Sequence, residues 1–167
     1  EFSSWQPAEV PSKKKWKEPD IEEIERISVP YRGEEYVLLA YRTAHGSHKD
    51  AEALEVLDMI LDNSVAGLIN LNLNQRQRVR QAGSYPWMHN DYGAQYLWGI
   101  PKEGQSLKEV EGLLTEQIEL VKNGEFEDWI IPAIVADFEK GHKVKLEGNG
   151  TRVSLMRDAF IAREEWK

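Results

Sequence analysis

A chain of 167 residues with 41% hydrophobic content and six tryptophans carries enough apolar side chain for one domain with one core. Its formal net charge of −8 opposes the clustered positive field that a phosphate backbone demands, which argues against a nucleic-acid-binding role. The absence of cysteine excludes disulfides, thiolate zinc sites and a cysteine nucleophile, and no apolar run is long enough to span a bilayer.

The opening Glu1-Phe2-Ser3-Ser4 has neither a charged n-region nor an apolar h-region, and without an initiating Met the chain reads as a piece excised or processed from a longer parent. The compartment stays open, leaning toward a bacterial extracytoplasmic one for want of cysteine. Residues 1–30 are rich in Pro and Lys and read as a linker or N-terminal arm. Its run Lys13-Lys14-Lys15-Trp16-Lys17 lies among Pro7, Pro11 and Pro19 with no periodicity, as in a solvated tether. Ile24, Ile27 and Val29 begin a short extended piece ending at Pro30. Residues 31–167 form a single domain.

Within it, Tyr36-Val37-Leu38-Leu39-Ala40-Tyr41, bounded by Gly33 and Gly46, predicts a buried central strand. From about Lys49 to Asn63 the apolar set Ala53, Leu54, Val56, Leu57, Ile60 and Leu61 recurs at helical spacing, with Ser47 and Asp50 available as caps or first-turn acids. Ala66 to about Asn74 predicts a second, short helix, although its Leu-Asn alternation also suits a strand. Arg76, Arg78 and Arg80 then alternate with polar residues and Val79, which places them on one exposed face of a strand. Two extended segments, about Val79 to Met88 and Tyr92 to Ile100, join through His89-Asn90-Asp91 as a hairpin.

Ser106-Leu107-Lys108-Glu109 is a capping box that starts a helix with Leu107, Val110, Leu114, Ile118 and Val121 as its buried stripe, and Asn123-Gly124 ends it. The stretch from about Glu127 to Arg163 is mainly helical, with Pro132 tolerated only near a first turn. Trp129, Ile130, Ala133, Ile134 and Phe138 suggest its packed face, and Gly148-Asn149-Gly150 divides it in two. This order predicts an α+β fold, a mainly antiparallel sheet with helices packed on one face.

Motifs for chemistry are sparse. His45-Gly46-Ser47-His48 offers two histidines with no glutamate between them and reads as a polar loop before a helix cap; His89 and His142 have no companion at ligand spacing. No nucleophile elbow, phosphate loop or dinucleotide fingerprint occurs. The acidic runs Glu22-Glu23-Glu25 and Glu164-Glu165 read as solvated faces.

The passage Tyr36 to Thr43, a short loop, then Asp50 to Leu61 resembles the strand-to-helix passage of the second domain in pitrilysin/insulinase zinc peptidases. Ala66-Gly67-Leu68-Ile69 is similar to the opening of the family's next helix. Gly99-Ile100-Pro101 with Leu107-Lys108-Glu109-Val110-Glu111 is similar to its strand and "x-x-x-E-V-E" helix, and Trp5-Gln6-Pro7 to its entering linker. The resemblance covers roughly residues 31–140.

It implies a repeat of the LuxS/MPP-like metallopeptidase type, used in the whole enzyme to build two halves around a chamber. Only one repeat carries the inverted His-x-x-Glu-His zinc motif, and this chain lacks that string, so zinc would belong to the parent's catalytic domain, with no cofactor and no metal ligand here. Some later domains of the family supply an Arg followed seven positions on by a Tyr that steady the scissile carbonyl. Arg78 and Tyr85 have that separation and are the candidate substrate contacts. Aligning the Leu68-Ile69 helix first instead puts the family's arginine near Asn74, which favours coincidence and the domain that follows the zinc domain.

The expected function is thus a non-catalytic structural or chamber-wall domain of a peptide-degrading zinc endopeptidase. The expected partners are the catalytic domain of the same parent or a partner subunit, and peptide substrate at a sheet edge. The alternatives are a pseudo-enzyme subunit or scaffold docking to a catalytic partner, and an unrelated α+β protein-binding module. The end at Glu165-Trp166-Lys167 falls short of the family's final strand, so the sheet is expected to lack an edge strand and the isolated piece to self-associate or be only marginally stable.

Overall fold

The computed structural model describes residues 4, 6, 8, 9, 12, 14, 17–63 and 65–162. The passage Trp5-Gln6-Pro7, the Lys13 to Lys17 run and the C-terminal Glu164 to Lys167 fall wholly or partly outside them. The chain divides into two compact units, Glu1–Arg32 and Gly33–Lys167. In the first, described residues 17–32 form no helix or strand, and Ile24, Ile27 and Val29 are exposed.

The second unit is an α+β fold: strand β1 (Val37–Thr43), helix α1 (Ala51–Leu61), a π-helix (Asn70–Asn74), strands β2 (Gln81–Met88) and β3 (Gly93–Ile100), then helices α2 (Leu107–Asn123), α3 (Ile130–Glu147) and α4 (Asn149–Ala162). Among the described residues the sheet has three strands in the order β1-β3-β2, all antiparallel. β1 is therefore an edge strand, not the central one that its apolar run suggests. The central place goes to β3, whose inward Gln95, Leu97 and Gly99 are buried and whose outward residues are half-buried. A hairpin partner close in sequence claims one side of β3, and β1 returns to claim the other.

Strand parity sorts the side chains. Leu97, with Leu39 and Ala82, faces α1 and α2 and joins Leu61, Ile69, Leu73, Val79, Val110 and Leu114 in the main core. Gly99 lies at the closest approach of α2: a Cβ there would meet Val110 Cγ1 at 2.5 Å and Leu114 Cδ1 at 3.4 Å. A second cluster, Ile60, Leu68, Ile130 and Ile134, joins α1 to α3.

Helix boundaries follow local chemistry. α2 starts with the predicted capping box: Ser106 accepts from the Glu109 N–H, Glu109 accepts from the Ser106 N–H, and that backbone bond holds the Glu109 carboxyl below its ordinary value. It ends at Gly124 in the left-handed conformation with φ 70°. Its stripe is narrower than predicted, since Leu107 in the first turn is exposed. α3 admits Pro132 because the proline falls in its first turn, where no intrahelical donor is lost. Only Ile130 and Ile134 of its predicted face are buried; Trp129, Ala133 and Phe138 are exposed. α4 buries no side chain.

The segment after α1 is built by polar side chains. Asn63 Oδ1 accepts from the N–H groups of Val65, Ala66 and Gly67 at 3.2, 2.6 and 2.9 Å, which caps the next helical turn. Gly67 is required at this close approach, because a Cβ would lie 2.7 Å from Asn63 N and from Asp62 Cα. The Leu-Asn alternation resolves as a π-helix, with bonds such as Gln75 N–H to Asn70 C=O at 2.8 Å. Each asparagine is used: Asn70 donates to the Val65 carbonyl, Asn72 to buried Gln117 on α2, and Asn74 to β2.

The predicted arginine strand is a turn. Gln77 adopts φ 50°, and the Arg78 N–H returns to the Leu73 carbonyl at 2.8 Å, so ladder geometry starts only at Gln81. Arg78 instead lies 3.3 Å from Glu116 of α2, and Arg80 pairs with Glu34.

The Gly99→Ala substitution is expected to destabilise the domain by about 1–3 kcal/mol, since the new methyl overpacks the β3–α2 contact; urea denaturation at constant m-value measures it. In native-state hydrogen exchange, amides of α4 should exchange far faster than those of α2, because α4 lacks buried anchors.

Candidate functional site

The two edges of the sheet differ. On β2, the Asn74 side chain takes the place of a neighbouring strand, accepting from the Ala82 N–H at 2.8 Å and donating to the Ala82 carbonyl at 2.9 Å. Two residues on, Asp62 Oδ2 accepts from the Ser84 N–H at 3.0 Å. These side chains seal the β2 edge against another strand. Among the described residues no strand lies beyond β1.

The sheet face turned away from α1 and α2 is aromatic. Register sets Ala40, Tyr96 and Tyr85 in one row, and Leu38, Trp98 and Gly83 in the next. Tyr85 stacks on Tyr96 with centroids 5.1 Å apart, Trp87 tilts toward Tyr96 at 6.0 Å, and His89 meets Trp87 edge-on at 4.6 Å. Leu38, Tyr85 and Trp87 are 45%, 44% and 54% exposed, an apolar surface beside strand β1. Sequence reasoning marked Tyr85 alone here. The signal for the rest was the alternation of aromatic residues in both strands of the hairpin.

Arg78 and Tyr85 engage different layers: Arg78 pairs with α2, which covers the inner face, while Tyr85 stands on the open face.

The two loop histidines do meet. The His48 N–H bonds to the His45 carbonyl at 3.0 Å, a turn that brings residues three positions apart together, and the rings lie 5.5 Å apart. Each Nδ1 is engaged locally: that of His45 with Ser47 Oγ at 3.1 Å, that of His48 with the Asp50 N–H at 3.2 Å and near its carboxylate at 3.5 Å. Asp50 precedes α1 without capping it through its side chain, and Ser47 is occupied by His45. A zinc centre needs three or four protein ligands. Among the described residues no three His, Cys, Asp or Glu side chains converge on a point where they could hold a metal ion. His89 and His142 are exposed, and His89 lies beside that loop, its carbonyl accepting from the Gly46 N–H at 2.9 Å. No helix among the described residues is long and apolar enough to cross a membrane.

No family model matches the chain, and no curated protein matches it. Among solved structures it is similar to a protease from Helicobacter pylori, with a TM-score of 0.72 and 19% identity over 77% of this chain. The chain spans 31% of that protease's length. At this identity the likeness is one of fold: the α+β unit has the architecture of one portion of a larger protease.

Proposed function

We propose that this chain is a non-catalytic, chamber-wall domain of a zinc-dependent endopeptidase that degrades peptides, with the metal and the bond-breaking residues on another domain of the parent. The observation that carries this reading is the fold shared with about a third of a protease. The pattern resemblance to pitrilysin/insulinase second domains, and the lack of a convergent ligand set among the described residues, support it further.

The role that fits the geometry is holding an extended peptide. An open strand edge offers backbone donors and acceptors without regard to sequence, and an aromatic face beside it takes up side chains. With β2 sealed by Asn74 and Asp62, β1 is the strand to which a peptide would add.

Titrating the full chain with an unstructured 12-residue peptide of alternating valine and threonine tests this. Slowed exchange of β1 amides is expected, and Trp87→Ala should weaken binding by up to about tenfold, the worth of one aromatic contact. Unchanged exchange along β1 at saturating peptide rejects the peptide-holding role. The chain alone should neither cleave the peptide nor retain zinc after dialysis. Stoichiometric zinc lost on His45→Ala or His48→Ala overturns the non-catalytic assignment.

A further inference from the structure

Between α1 and the sheet lies a polar knot, half-buried at Asp58 and Ser84 and buried at Gln95, that the peptide-holding role does not use. Gln95, on the inner face of central strand β3, is 3% exposed, and its Nε2 donates to Asp58 Oδ1 at 2.6 Å. The Ser84 hydroxyl of β2 donates to the same oxygen, also at 2.6 Å. Both donors therefore fall on one carboxylate oxygen. Among the described residues, Gln95 Oε1 is the buried side-chain acceptor with no hydrogen-bond partner. The other buried glutamine differs: Gln117 accepts from Asn72 and donates to the Leu113 carbonyl.

An orphaned buried acceptor costs about 1–3 kcal/mol, and a desolvated carboxylate more. One proton relieves both. A carboxylic acid and a primary amide can form a closed pair of parallel hydrogen bonds, the amide N–H to one carboxyl oxygen and the acid O–H to the amide oxygen. The first of these bonds is already made. The second would come from a proton on Asp58 Oδ2 donated to Gln95 Oε1.

We propose that Asp58 is held as the neutral acid in the folded domain, paired through two hydrogen bonds with Gln95, and that loss of this proton loosens α1 from the sheet. The surroundings favour the neutral form. Burial pushes the Asp58 carboxyl above its ordinary value, against the bonds from Ser84 and Gln95, and the charge of Asp62 one turn on adds to the rise. From β2 the facing group is the Ser84 hydroxyl, and from β1 it is Tyr41, across from Gln95 in register. α2 and α3 turn Leu120, Val121, Ile130 and Ile134 toward the α1 cluster.

The sign follows from proton linkage. A native state that keeps a proton the unfolded chain releases is stabilised below the unfolded value of 3.8, and that contribution is lost as pH rises through the higher folded value. Within that window the folding constant falls by up to about tenfold per pH unit.

The test uses the full chain. Asp58→Asn preserves the shape and supplies a permanent N–H to Gln95 Oε1. The ratio of wild-type to variant folding constants from urea denaturation should therefore fall as pH is raised from 4 toward neutrality. Site-specific carboxyl NMR of the wild-type should show Asp58 titrating well above the other aspartates. Parallel pH profiles, or an Asp58 resonance titrating in the ordinary carboxylate range, overturn the proposal; the latter is the outcome if solvent supplies the donor to Gln95 instead. The NMR titration decides the question even if Asp58→Asn fails to fold, and neither readout depends on peptide binding.

Discussion

A three-stranded sheet has an inner face to bury and two edges to satisfy, and one short stretch of this chain, Asp58 to Asn74, helps cover that face and satisfies the β2 edge. That stretch contributes Leu61, Ile69 and Leu73 to the core beneath Leu97, while Asp58, Asp62 and Asn74 hold the sheet by its polar groups. Apolar burial supplies the bulk of the driving force but is non-directional. Hydrogen bonds to Ala82, Ser84 and Gln95 fix where α1 and the π-helix sit.

This arrangement makes the sheet asymmetric in a way that bears on function. Backbone groups on an edge strand must find partners in water, in side chains or in another chain. β2 finds them in Asn74 and Asp62, which leaves β1 and the aromatic face beside it as the surface on which a further segment can be received. The fold itself is shared with one portion of a larger protease.

Much of the fold was legible because its signals are local. The capping box Ser106 to Glu109, the Gly124 terminus, the break near Gly148 and the hairpin through His89-Asn90-Asp91 each depend on residues within one turn of one another. What failed depended on distant partners. The run Tyr36 to Tyr41 looked central because it is apolar, yet edge or centre is decided by which strands flank it. Arg76 to Arg80 alternate like a strand, but the π-helix before them ends in a turn through Gln77. The exposed flanks of α3, with Trp129, Val135 and Phe138, show that apolar periodicity alone does not say which stripe is covered.

The sequence by itself determined the α+β class, the element order and the absence of a His-x-x-Glu-His string, because periodicity and short motifs are properties of neighbouring residues. Tertiary structure alone decided the strand order, the sealing of one edge by Asn74 and Asp62, the aromatic face and the Asp58–Gln95 contact, whose members are 37 residues apart. Contacts of that separation are set by how the layers pack, and no local pattern encodes which acid will meet which amide.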